Sequence, residues 1–342
     1  MNFKVISIDL AKNVFQLCGM DSHQKIIFNK KVKRENVLNN FSNIEADMVV
    51  MEACYSSNYW ARALEEIGFT VKLIPPFQVK PFVVGNKNDH NDAIAIAEAS
   101  LRPTARFVPT KSIEQQDIQS LDRIRERLVK QRTAIINQLR GLLSEYGVVL
   151  PTGTIKILNE TPYVLEDAEN KLSIIARQFL TDLHKEALDK TVKIKQVEKQ
   201  MESLLSHNSS YDLLQSIHGI GPITAAALIA SVSSGKQFKN GRNMAAWIGL
   251  TPGQHSSGNN DKNIDMTKRG NRQLRRLLIH GARTVMNWHE GKSDRLSLWI
   301  KGLLTRMHPC KVIVAIANKL ARIAWSVLVN QRPYQMKTDT II

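Results

Sequence analysis

Four carboxylates stand where metal-assisted chemistry could be done. Asp9 closes an apolar run (VISID), and Glu52 closes another (VVME). Asp89 and Asp92 lie three apart at the start of a helical stretch, so they share one helix face. Acids at the strand ends of a mixed sheet point into the crevice where such folds bind ligands. Four carboxylates brought together do not all stay ionised without a cation. The matching cation is hard and takes oxygen ligands, Mg²⁺ or Mn²⁺. Two such ions activate an attacking oxygen and stabilise a leaving one in phosphodiester chemistry. Each acid also has a plainer use: Asp89 or Asp92 as a helix N-cap, Asp9 as the turn residue ending a strand. Sugar kinases and actin-like ATPases also place an aspartate after a first strand. They need a Gly-rich phosphate turn in the first hairpin, and LAKNVF has no glycine there.

A second constellation lies in the last third. Ser256 and Ser257 precede Gly258 on a polar loop from Thr251 to Gly270, followed by Lys268, Arg269, Arg272, Arg275 and Arg276. A serine becomes a nucleophile when a base or a cation cluster lowers the cost of its alkoxide. Guanidinium groups are shaped to hold a phosphate under attack. On residue types alone a Ser-Ser-Gly loop is more often a turn than a nucleophile, and His255 is either a base or, more often for an exposed loop histidine, inert. Just upstream, LLQSIHGIGPITAAALIA sets Gly219 and Gly221 between two apolar helices. Such glycines let backbone N–H groups face a phosphate at the next helix's N-terminus, a helix-hairpin-helix pattern for DNA backbone contact. The plainer reading is a tight turn between core helices.

Charge separates these readings. The chain has 342 residues and a net charge of +16. Residues 1–105 carry +1, residues 106–207 carry +2, and residues 208–342 carry +13. A block of positive field is the footprint of a polyanion, and nucleic acid fits better than a membrane surface, since no lipidation motif is present. Composition is that of a globular chain, which excludes disorder and fibres. Cys18, Cys54 and Cys310 form no C-x-x-C, which argues against zinc and against a disulfide framework. MNFKVISIDL is not a signal peptide, and Val312–Val329 carries Asn318, Lys319 and Arg322, so it reads as a buried helix rather than a membrane span. A cytoplasmic protein is expected.

The elements that must position these residues follow from periodicity. Strands are expected at Val5–Asp9, Val14–Met20, Lys25–Val32, Asp47–Ala53 and Thr70–Ile74, with helices at 34–44, Ser57–Ile67 and Asp89–Leu101. Three strands followed by alternating helix and strand give a mixed sheet with helices on its faces. Leu121, Leu128, Ile135 and Leu142 recur every seven residues, joined by Ile118 and Leu139, a seam for a helical hairpin or a dimer. A second helical stretch, from about Leu165 to Leu205, is set off by Pro151, Gly153 and Pro162. The last third reads as helices at about 213–217, 222–233, 242–248, 271–288, 294–305 and 311–330. The expected divisions are 1–105, 106–207 and 208–342.

The motifs together resemble the DEDD transposases of the IS-one-ten insertion-sequence family, the bridge-RNA-guided recombinases, in the branch whose serine motif reads HSSG. The matching pieces run in order along nearly the whole chain: SIDLAK, MEAC with YWAR, GNKNDHNDAIAIAEA, RERLVKQRTAIINQLRGLL, GIGPITAAALIA, FKNGRNMAAWIGLTP, QHSSG and KRGNRQLRRLLIHGAR. The resemblance implies an N-terminal RuvC-like, RNase H-like α/β domain, a helical coiled-coil region and a mostly α-helical C-terminal transposase domain. It assigns the family's four acids to Asp9, Glu52, Asp89 and Asp92, with Mg²⁺, and the catalytic serine to Ser257 rather than Ser256. It implies strand exchange through a phosphoserine link to donor and target DNA, a noncoding guide RNA, and a dimer or tetramer, nucleoid-associated in a bacterial cytoplasm. Cys54–Tyr55–Ser56–Ser57 stands where relatives have a Gly-containing turn, and Gly253 where they often have a basic residue. Two other functions fit the residues: a metal-only, junction-resolving nuclease with the serine loop as a turn, and a non-catalytic nucleic-acid-binding protein.

Overall fold

A computed structural model describes residues 2–86, 88–257 and 260–336, with the backbone alone for residue 2 and residues 255–264. The chain divides into two compact units, Met1–Ser112 and Ile113–Ile342.

The first unit is built on a five-stranded sheet of order β4-β3-β2-β6-β7. Its strands are β2 (Val5–Asp9), β3 (Val14–Met20), β4 (Ile26–Lys33), β6 (Val49–Glu52) and β7 (Val71–Ile74), with a minor pairing of β1 (Asn2–Phe3) to β5 (Glu45–Ala46). The first three run antiparallel, and β6 and β7 join parallel. This is the mixed sheet that the apolar runs imply. Val49, Val50 and Met51 are fully buried because both faces of β6 are covered. One face packs Ile6, Ile8 and Met51 against Trp60, Ala61 and Leu64 of α1 (Ser57–Glu66). The other packs Val5, Cys18 and Val50 against Ala93, Ile96 and Ala97 of α3 (Asp89–Ser100). A short helix, α2 (Pro76–Val79), lies between. The helix expected at 34–44 is instead two 3₁₀ turns, Arg34–Asn36 and Leu38–Phe41. Its asparagines compete for backbone partners, as Asn40 Nδ2 does in donating to Asn36 O at 2.8 Å.

The second unit is helical. The heptad seam lies on α4 (Ile113–Glu145), which packs along α6 (Ile174–Leu205) as a helical hairpin within the chain. Ile118, Leu128 and Leu139 are buried there, and Arg125 Nε meets Glu198 Oε1 at 2.7 Å across the pair. Between them runs α5 (Thr154–Glu166), with Pro162 inside it rather than ending it. The remaining helices are α7 (Ser209–Gln215), α8 (Pro222–Val232), α9 (Gly241–Ile248), α10 (Arg272–Trp288), α11 (Arg295–Leu304) and α12 (Pro309–Asn330). Ile118 and Leu128 of α4 and Ile194–Leu205 of α6 share one core with α8, α10 and α12. Residues 106–207 and 208–342 are therefore not separate bodies. α12 is long and apolar enough to cross a membrane by composition, but Val312, Ile316, Leu320 and Ala324 are core residues. The expected loop at Thr251–Gly270 contains an antiparallel hairpin, β8 (Pro252–Ser257) with β9 (Asn260–Met266).

One buried acid ties α4 to α10. Asp122 is buried, and its Oδ1 accepts a hydrogen bond from Gln273 Nε2 at 2.8 Å. Burial pushes its carboxyl up to about 6, against the pull of Arg125 and Gln273. The folded pKa lies above the ordinary 3.8, so the folded chain holds this proton more tightly than the unfolded one. Stability therefore falls as pH rises between those values and is level above them. Asp122→Asn removes the charge and keeps the acceptor. It is expected to raise stability by on the order of 2 kcal/mol at about pH 7.5 and to give no gain near pH 3.5, read by thermal unfolding at both pH values. An equal gain at both would contradict the assignment.

Candidate active site

In the first unit, β2 and β6 are adjacent and parallel, in register Ile8↔Met51. One step further they end side by side in Asp9 and Glu52. Ser7 and Val50 belong to the α3 face of the sheet, and alternation puts Asp9 and Glu52 on that same face. Both carboxylates act on one nearby group: burial, then Glu52, then Asp9 push the Cys54 thiol up to about 11.

α3 brings the other two acids to this end of the sheet. Ser7 Oγ donates to Ala93 O at 2.6 Å, pinning α3 over β2. Asp92 precedes Ala93, and Asp89 lies at the first helical position. The N-cap is neither of them but Asn88, whose side chain accepts from Asn91 N at 2.8 Å. Both acids still gain from the positive end of the helix dipole. A chain of amides anchors this helix start: Gln16 Nε2 donates to Asn29 Oδ1 at 2.5 Å, and Asn29 Nδ2 donates to His90 O at 3.1 Å. Gln16 is the register partner of Asp9 on β3. Sequence reasoning missed it, although a glutamine inside an apolar strand was the available signal.

The turn after Glu52 has its own constraint. Ser56 takes a left-handed conformation, φ 62°, and its buried hydroxyl has no hydrogen-bond partner among the described residues. That backbone geometry suits glycine better than serine.

In the second unit, the serine hairpin is an arm on a fixed root. Ser257 ends β8 opposite Asn260, and Ser256 pairs with Asp261. The side chains of His255, Ser256 and Ser257, and Gly258 altogether, lie outside the described residues. At the root, Thr267 N donates to Thr251 O at 2.9 Å. Gly249 (φ 82°) and Gly270 (φ 77°) interlock so closely that a Cβ on either would strike the other strand's backbone, at Arg269 O and Trp247 O respectively. Arg275 closes the joint, its Nη1 donating to Ile248 O at 2.9 Å and to Arg269 O at 2.8 Å. Arg275 is buried and its guanidinium is turned inward, so it departs from the expected DNA contact. Arg276 pairs with Glu126 at 3.3 Å, whereas Lys268, Arg269 and Arg272 are exposed.

The Gly-x-Gly turn between α7 and α8 splits in the same way. A Cβ on Gly219 (φ 87°) would lie 2.7 Å from Gly281 O on α10, so Gly219 serves close packing. Gly221 faces open space at the N-terminus of α8.

Residues 6–148 match the DEDD transposase family of IS110 elements, described as "Transposase", and residues 211–296 match the family described as "Transposase IS116/IS110/IS902 family". A transposase for insertion sequence element IS1111A from Coxiella burnetii is 42% identical over 98% of this chain and 92% of its own. The chain belongs to the IS110/IS116 family of transposases. A probable family 20 transposase from Pseudomonas aeruginosa is 43% identical over 98% of this transposase and 99% of its own length. A pilin gene-inverting protein from Moraxella bovis is 23% identical over 98% and 99%. This transposase is a DNA strand-cleaving and rejoining enzyme, and the DEDD domain implies dependence on a divalent metal ion. The residue types fit such an ion: carboxylates at Asp9, Glu52, Asp89 and Asp92, and, at Gln16 opposite Asp9, a buried Oε1 without a partner among the described residues. Among those residues, no three His, Cys, Asp or Glu side chains are gathered closely enough to hold an ion.

The two glycines can be told apart by experiment. Gly219→Ala is expected to cost about 2–4 kcal/mol of stability, because it combines a left-handed backbone with a backbone clash. Gly221→Ala is expected to leave thermal unfolding nearly unchanged and to weaken duplex DNA binding in a fluorescence anisotropy assay. Unchanged DNA affinity in the folded Gly221→Ala protein would reduce this turn to a packing element.

Proposed function

We propose that this transposase cuts and rejoins DNA through Ser257, with Asp9, Glu52, Asp89 and Asp92 holding Mg²⁺ or Mn²⁺, and that a noncoding RNA selects the DNA. The serine Oγ attacks a backbone phosphorus, and its proton passes to a base or to solvent. The phosphorus–oxygen bond to the departing sugar breaks, and that sugar leaves as a free hydroxyl. The resulting phosphoserine keeps the bond energy of the phosphodiester. Attack by a hydroxyl of the second strand reseals DNA and restores the serine. A bound divalent ion supplies charge stabilisation for the phosphate oxygens.

The observation that carries this reading is the arm itself. A serine ends a strand of a hairpin whose root is locked by two interlocking glycines and a buried arginine. A turn of no function has no need of such a root. Exposed Lys268, Arg269 and Arg272 beside that root supply positive field in a region of net +13. Gly221 at the α8 N-terminus adds a backbone site for phosphate. The guide RNA, the dimer or tetramer, and nucleoid association rest on the motif resemblance.

The test is covalent trapping in cells carrying the complete element, with adducts isolated under denaturing conditions and mapped by mass spectrometry. The adduct is expected on Ser257. It should be absent from Ser257→Ala, with recombination reduced by about 10⁴-fold or more. Asp9→Ala is expected to lose adduct and recombination alike. DNA breaks that require Asp9 but leave no adduct would select a metal-only nuclease instead.

A further inference from the structure

A groove of about 1450 Å³ opens beside the root of the serine arm. Its walls come from the start of α9, the root residues Pro252, Met266 and Lys268, Trp299 of α11, and one face of α12. It is larger than the about 300–1,000 Å³ of small-ligand sites, so it suits a polymer segment.

Its lining combines two chemistries. Arg242, Lys268, Lys311, Lys319 and Arg322 face it, against the single carboxylate of Asp265. Among the described residues, none of these five cations is in an ion pair. Between them lie two indoles held in place. Trp325 Nε1 donates to Gly235 O at 3.1 Å, and Lys319 Nζ sits 4.0 Å from the centre of the Trp299 ring. Burial and the neighbouring Arg322 lower the pKa of Lys319, which marks the cost of keeping two cations together without a counter-charge. An anion entering the groove relieves that repulsion. Apolar floor, fixed aromatic faces and uncompensated cations are the recognition chemistry of unstacked bases on a phosphate backbone. An acidic peptide would satisfy the charges and leave the indoles unused.

We infer that this groove binds a single-stranded stretch of DNA, with phosphates on Arg242, Lys311, Lys319 and Arg322 and bases against Trp299 and Trp325. It lies against the root of the arm that ends in Ser257, so the strand it takes is one freed or held open next to the cut. The choice of DNA rests on the serine reading above; the groove's chemistry does not.

The test is binding by the full-length protein, without metal, of a fluorescein-labelled twelve-nucleotide single-stranded DNA. RNA and duplex DNA of the same sequence, and a polyglutamate competitor, form the other arms. Lys319→Gln with Arg322→Gln is expected to weaken single-strand binding about tenfold and to reduce the salt slope by about 1.4, while duplex binding changes little. Ser257→Ala is expected to bind as the parent does, so loss of the serine role leaves this result standing. Because the double variant alters packed positions, unmodified protein is also photo-crosslinked to iododeoxyuridine-containing single-stranded DNA. Adducts are expected on peptides carrying Trp299 or Trp325. Crosslinks confined to other regions, tighter binding of RNA than DNA, or equal competition by polyglutamate would each overturn the inference.

Discussion

A serine hydroxyl inside the sheet sets the geometry of the N-terminal unit. Ser7 is fully buried, where an unbonded hydroxyl would be costly, and it meets that demand by donating to Ala93 O at 2.6 Å. The bond fixes how far along β2 the helix α3 sits and which way it is turned. The helix half of the acid set, Asp89 and Asp92, depends on this. Asp9 and Glu52 are placed by strand pairing alone, since β2 and β6 run parallel and end together. Asp89 and Asp92 are placed by helix docking, which the apolar contacts of Ala93, Ile96 and Ala97 would allow to slide. The Gln16–Asn29–His90 chain of amides holds the same helix at its other exposed edge. Two polar attachments on an otherwise apolar contact give it one register.

The serine arm is built on the opposite principle. Its own strands, PGQHSS and NDKNIDM, have little apolar surface to bury. The ordering of its base comes from backbone interlock at Gly249 and Gly270 and from the inward guanidinium of Arg275. A bidentate donor such as Arg275 joins the end of α9 to the start of α10 across the arm.

Much of this was readable in the sequence because burial writes itself in periodicity. VISID, VFQLCGM and VVME are strands with both faces covered, and they fell where the apolar runs placed them. So did α3 and most helices of the second unit, whose apolar positions recur at helical spacing. The β8–β9 hairpin was not readable, since polar strands with no buried face carry no alternation. The plain Arg272-to-Arg276 helix face also misled: helical spacing cannot say that Arg275 turns inward to cap carbonyls while Arg272 faces water. The two 3₁₀ turns at 34–41 replaced a helix because asparagine side chains outbid the helical ladder. Pro162 stayed within a helix, showing that a local breaker yields where Ile157 and Leu158 are buried on the same element. The basic groove could not have been found from spacing at all, because Arg242, Trp299 and Arg322 meet only through the packing of three helices.

The central proposal is that a divalent ion draws together acids from three elements, β2, β6 and α3, with the docking of α3 on the sheet supplying two of them. The most direct measurement is titration of the full-length protein with Mn²⁺, followed by electron paramagnetic resonance of the free ion. The account predicts that Asp9→Asn and Asp92→Asn each weaken Mn²⁺ binding by about tenfold or more, with thermal unfolding unchanged in the absence of metal. Normal Mn²⁺ binding by folded Asp92→Asn, beside loss in Asp9→Asn, would contradict it and leave the helix acids as dipole partners alone.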